Sequence, residues 1–330
     1  MRESLKAVLA HHGVRKTMKQ KQDFRQWLQR HGKSNDYQLS IQNFKNGRGK
    51  NIIVGNPMTA KVILTAHYDT PPDAILPVMT IIGSIPMYLI SQLFIFLPVI
   101  GIFTALFFLG QWIFGPNALI GTRVPFFGVY MPLAVFIMLI IWSLQMMFGA
   151  ANKNNANDNT SGVGVLLYLL ESLPKNKREQ ICFVFFDEEE KGLEGAKAFR
   201  KKFESHLLNI PLINFDCVGN GTHPLFITKK RFRESSDYKT LEGAVSLEGE
   251  IKKAKYYVYP SDQIIFKNSV GVTVVHKCPL LGYYLTRLHS RFDTKINEVL
   301  IEKLAEITAR FIEGVIEEKN DEKKCQSGEL

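Results

Sequence analysis

Cysteine is scarce: only Cys182, Cys217, Cys278 and Cys325 occur in 330 residues. None is spaced as C-x-x-C, which argues against a zinc ribbon, and three lie in or beside apolar runs, which favours reduced core thiols over a disulfide frame. The opening M-R-E-S-L-K-A-V-L-A-H-H-G-V-R-K lacks a signal-type apolar segment, so the amino-terminal part is expected to begin in the cytosol. Nucleic-acid motifs are also missing, although 41 Lys and Arg against 31 Asp and Glu leave a formal charge of +10. The basic clusters around Lys229–Arg233 and Lys252–Lys255 have no repeating aromatic partner, so no nucleic acid is expected. They read either as solvated surface or as attraction to an anionic leaflet. There is no internal repeat.

The sharpest deficit is of charge. Ile75 to Phe114 is forty positions without a charged side chain, and Val124 to Gly149 is a second such run. A helical crossing needs roughly 20 apolar residues. Segments on both sides of these runs contribute to one set of motifs, so the crossings must be even in number. The expectation is a transmembrane helical hairpin with spans near 88–113 and 126–149 and a far-side loop around Gly115, Pro116, Asn117 and Arg123. Pro77, Gly83 and Pro86 make 75–87 an interfacial or re-entrant segment. The competing reading is an apolar lid or dimer surface. The hairpin makes a lipid bilayer a partner and gives a multi-pass protein of the cell membrane with a cytoplasmic catalytic domain. The oligomeric state stays open. The divisions are 1–73, the amino-terminal part of a catalytic domain; 74–150, the apolar insert; 151–318, the rest of that domain; and 319–330, a loose charged tail.

Around the insert the pattern is α/β. Spaced apolar positions in residues 1–31 predict one or two amphipathic helices with Gly32 as a stop signal. Tyr37 to Phe44 and Asn51 to Val54 read as a β-ribbon. Lys61 to Thr70, Ile181 to Phe186, Pro211 to Asp216 and Gly271 to His276 are strands, while helices follow Ser161, cover Leu193 to Leu208, and run from Ile296 to Glu317. The fold class is a central mixed sheet flanked by helices and interrupted by the helical hairpin.

The strands end in chemistry. Asp187, Glu188, Glu189 and Glu190 crowd the carboxyl end of the strand from Ile181, where neighbouring carboxylates repel one another unless cations hold them. Ligands of open α/β sheets sit beyond the carboxyl ends of strands, so a divalent metal is the natural partner. His67 and Asp69 lie two apart at another strand end and leave on the same face, as a metal-binding histidine and its orienting carboxylate would. Asp158 precedes a helix that Thr160 or Ser161 can cap. Asp216 closes a fourth apolar run.

In order, H-Y-D-T (67–70), N-D-N-T-S-G (157–162), E-E-K-G-L-E-G (189–195), N-F-D (214–216) and H-S-R-F-D-T (289–294) resemble the motifs of the co-catalytic zinc aminopeptidases, family twenty-eight of the metallopeptidases. Glutaminyl cyclases are relatives of that family. The resemblance covers about 50–73 and 150–318 and leaves the insert unexplained. It implies two Zn2+ ions bridged by Asp158, one completed by His67 and Asp216 and the other by Glu190 and His289. It makes Glu189 the general base and Asp69 the carboxylate that orients His67. The family often has histidine where Gln263 follows Ser261 and Asp262, and some members place tyrosine where Leu288 stands. Tyr259 and Tyr283 are therefore the candidates for oxyanion stabilisation.

The implied activity is a membrane-anchored dizinc exopeptidase, an aminopeptidase acting on peptides. The alternatives are acyl transfer of glutaminyl-cyclase type and a non-catalytic membrane scaffold that keeps the fold.

Overall fold

A computed structural model describes residues 2–74, 78–94, 97–114 and 130–327. The amino-terminal half contains helices α1 (Glu3–His11) and α2 (Met18–Ser34), strands β1 (Leu39–Phe44), β2 (Gly49–Val54), β3 (Val62–His67) and β4 (Val78–Ile82), and helices α3 (Ile85–Phe94), α4 (Leu97–Phe114) and α5 (Tyr130–Phe148). Then come α6 (Gly162–Ser172), α7 (Lys175–Arg178), β5 (Ile181–Phe186), α8 (Glu194–Leu207), β6 (Leu212–Phe215), β7 (His223–Thr228), α9 (Lys230–Arg233), α10 (Asp237–Val245), β8 (Glu250–Lys253), β9 (Ser269–Cys278), β10 (Gly282–Leu288) and α11 (Glu298–Ser327).

Among the described residues one mixed sheet runs β1-β2-β5-β3-β6-β9-β10-β4, with β7 on β9 and β8 on β7. β3 is parallel to both β5 and β6, and β6 is parallel to β9. The carboxyl ends of β3, β5 and β6 therefore share one edge. Every residue of β3 and β5 is buried, the near-continuous apolar pattern of strands covered on both faces. Alternation divides β5 between two layers. Phe183 and Phe185 pack with α1, α2, α6 and α11, while Cys182, Val184 and Phe186 pack with Ala196, Phe199 and Phe203 of α8.

The apolar insert departs from expectation. Among the described residues no helix is long and apolar enough to cross a membrane. α3, α4 and α5 have 10, 18 and 19 residues. The expected first span, 88–113, is divided between α3 and α4. α3 carries Pro86 in its first turn, where the missing N–H is tolerated. The hairpin, and with it the bilayer as partner, gains no support from the fold. The loop at 115–123 lies outside the described residues, as do residues 75–77. The expected re-entrant stretch instead supplies β4, which pairs antiparallel with β10 at the sheet edge.

Two smaller expectations also change. Gly32 does not stop α2, which continues to Ser34. A Cβ there would lie 2.8 Å from the Tyr37 ring and 2.9 Å from Leu39, so the glycine permits close packing of the returning chain. α11 extends to Ser327, making most of the expected tail helical.

Candidate metal centre

β3, β5 and β6 bring the predicted site residues to one edge. His67 ends β3, and its imidazole is buried. Its Nδ1 lies 3.5 Å from Asp69 Oδ1, and its Nε2 lies 3.3 Å from Asp158 Oδ1 and 3.6 Å from Asp216 Oδ1. His289, just past β10, places Nε2 3.1 Å from Asp158 Oδ2 and 3.6 Å from Glu190 Oε2. One Asp158 oxygen thus faces each imidazole. His67, Asp158 and Asp216 form one group whose ligand atoms lie within 4.8 Å of one another, and Asp158, Glu190 and His289 form a second. Glu189 joins His67 and Glu190 in a third such group. All seven residues singled out from the sequence meet here.

Backbone anchors hold them. Asp69 accepts from Glu189 N at 3.0 Å and Glu190 N at 3.3 Å, tying the ends of β3 and β5 together. Asp293, the aspartate of the last motif, accepts from Asn157 N and Asp158 N, both at 2.9 Å, and so clasps the loop that carries the shared carboxylate. Asn159, rather than Thr160 or Ser161, caps α6: its Oδ1 accepts from Gly162 N at 3.0 Å, while its Nδ2 donates to Phe215 O at 2.9 Å. Ser161 Oγ donates to Asn157 O and accepts from Val218 N. A Cβ on Gly162 would lie 2.4 Å from Phe215 O, so only glycine lets α6 approach β6 this closely.

A second layer went unforeseen. Arg15 is wholly buried between two ligand loops, with Nε donating to Tyr68 O at 2.5 Å and Nη2 to Thr160 Oγ1 at 3.1 Å. Burial lowers its pKa to about 10, against the pull of Asp69 and Tyr68, so the guanidinium stays cationic at neutral pH. Lys21 Nζ donates to Asp187 Oδ1 in a buried ion pair. Burial opposes the ammonium, but Asp69 and Asp187 outweigh it and hold Lys21 above its ordinary pKa. Composition and periodicity distinguish neither cation from a surface one. Asp293 was visible in H-S-R-F-D-T, although only the histidine of that motif was given a role.

The tyrosine candidates divide. Tyr259 lines the cavity beside the cluster, yet its hydroxyl donates to Asp216 O at 2.8 Å, as a brace. Tyr283 donates to Glu250 at 2.7 Å and is not among the residues that line the cavity.

Burial, with the fields of Glu190, Asp262 and Asp216, pushes Glu189 well above the usual carboxylate range despite His67 nearby. Burial and Asp158 do the same to Glu190. His67 is shifted upward because Glu189, Asp158, Asp216 and Asp69 overcome its burial. Both His67 nitrogens, His289 Nδ1, Glu190 Oε1 and Asp216 Oδ1 are buried without a hydrogen-bond partner. Imidazole nitrogen and carboxylate oxygen are the donors that zinc takes, and unpartnered buried atoms of those types fit ligation.

Known proteins agree on the fold. The profile of Peptidase family M28 matches residues 144–312, just over half of the chain. The Legionella pneumophila LapA aminopeptidase superposes with a TM-score of 0.56 at 11% identity, covering 95% of this chain and 69% of that one. A glutaminyl cyclase of Bacteroides thetaiotaomicron gives 0.55 at 14% identity, covering 93% and 94%. A Zn-dependent exopeptidase of Parabacteroides distasonis gives 0.50 at 15% identity, covering 93% and 94%. No curated protein matches the sequence.

Proposed function

Because this chain belongs to Peptidase family M28, we propose that it is a dizinc exopeptidase, an aminopeptidase that removes the first residue of a peptide. The observation that carries this reading is the pair of three-residue groups sharing Asp158, with Glu189 beside them on the same cavity. His67, Asp158 and Asp216 would hold one zinc ion, and Asp158, Glu190 and His289 the other. Bound there, paired zinc ions lower the pKa of a water and polarise the scissile carbonyl.

The chain's own residues do the rest. Asp69, with Oδ1 3.5 Å from His67 Nδ1, would orient the ring and leave Nε2 for ligation. Its bonds to Glu189 N and Glu190 N set base and ligand in one register. Glu189 takes a proton from the attacking water and passes it to the leaving nitrogen as the C–N bond breaks. The cavity of about 210 Å³ has room for a single side chain, since about 150 Å³ accommodates a benzene-sized group.

The likeness to a glutaminyl cyclase over nearly the whole of both chains supports a second reading, attack by the substrate's own amino-terminal nitrogen instead of water. One panel separates the two. The aminopeptidase reading expects release of the first residue from Leu-, Met- and Ala-initiated peptides and none from their N-acetylated forms. Ring closure of Gln-initiated peptides without amino-acid release would put the cyclase reading in its place.

A further inference from the structure

The cavity beside the cluster has a wall that the five motifs do not supply. β4 and α3, the first elements after Ala74, enclose it with Val78, Tyr88 and Gln92. β4 pairs with β10, whose Leu285 and Leu288 line the same space. Tyr88 and Gln92 are four apart on α3 and so present side chains on one face. The chain entering α3 is tied to the opposite side of the cavity by Val258 N, which donates to Gly83 O at 2.7 Å, and Ser91 Oγ donates to Tyr88 O at 2.6 Å within the helix. Among the described lining residues every ionisable carboxylate or imidazole belongs to the cluster, and no Lys or Arg is present.

We infer that the start of the apolar insert, through Tyr88 and Gln92 on α3, sets the specificity of the site and selects substrates whose amino-terminal side chain is uncharged and apolar. The inference rests on the aminopeptidase reading. A leucine-sized side chain meets Val78, Leu285, Leu288 and the Tyr88 ring, and its apolar surface leaves water. A lysine, arginine or glutamate side chain would enter without a partner of opposite charge beyond atoms committed to the cluster, a costly burial. Tyr88 would limit depth, and Gln92 would keep the open side of the wall polar yet uncharged.

The test uses the full-length protein, with zinc content recorded for every variant. Rates are compared on Leu-, Phe-, Lys- and Glu-initiated amides. Wild type is expected to prefer Leu over Lys and Glu. Gln92→Glu places a carboxylate in the wall and should raise the Lys-to-Leu ratio of kcat/KM by about tenfold or more, within the 10–200-fold range that single pocket contacts carry. Tyr88→Ala should raise the Phe-to-Leu ratio by a similar factor, and Tyr88→Phe should not. Hydrolysis by wild type with ratios unmoved in Gln92→Glu and Tyr88→Ala, or a wild-type preference for charged residues, would overturn the inference and leave the aminopeptidase reading standing. Zinc-loaded wild type without turnover of any amide would overturn both.

Discussion

Glu189→Gln lowers kcat by roughly a thousandfold, in the middle of the range that general acid–base catalysis contributes, while zinc content and KM stay close to wild type. The amide keeps the shape of the side chain and cannot accept a proton. Neither group that shares Asp158 includes Glu189, so both retain their ligands. Asp69 holds Glu189 through its backbone N–H, and the substitution leaves that bond intact. The measurement is steady-state kinetics beside elemental analysis of one preparation. Activity within tenfold of wild type would remove Glu189 from the proton-transfer role. Loss of zinc together with activity would make it a ligand.

Lys21→Met destabilises the protein by about 3–5 kcal/mol, because it leaves the Asp187 carboxylate buried and uncompensated. Asp187 accepts from Lys50 N at 3.0 Å and Glu188 N at 2.9 Å, so it is held in place when its cation is removed. At roughly 2–4 °C per kcal/mol for a domain somewhat smaller than this one, the midpoint should fall by about 6–20 °C. Thermal unfolding at neutral pH checks this. Lys21→Met combined with Asp187→Leu should recover much of the loss, since apolar replacement of a buried pair is often neutral. A single variant within 1 kcal/mol of wild type would mean that water reaches the pair.

The site was more legible than its surroundings. Each ligand candidate is a polar residue at the end of an apolar strand, and parallel pairing of β3 with β5 and β6 aligns those ends by register. That relation survives from one dimension to three. Arg15 and Lys21 were invisible because burial of a cation depends on what folds over it, and α2 reads as an ordinary amphipathic helix. The cap of α6 was misassigned because Asn159, Thr160 and Ser161 are all good capping residues, and only Asn159 reaches Gly162 N. The insert was the largest departure. Hydropathy registers the absence of charge, but it misses a five-residue edge strand whose partner lies about two hundred positions away. The residues that wall the cavity lie in that same stretch.

Metal content tests the central claim most directly. Zinc-replete, extensively dialysed protein should contain about two zinc ions per chain, and Asp158→Asn, which weakens the carboxylate common to both groups, should contain far less than one. A wild-type protein that binds no zinc under those conditions, or an Asp158→Asn variant that binds as much as wild type, would contradict the dizinc account.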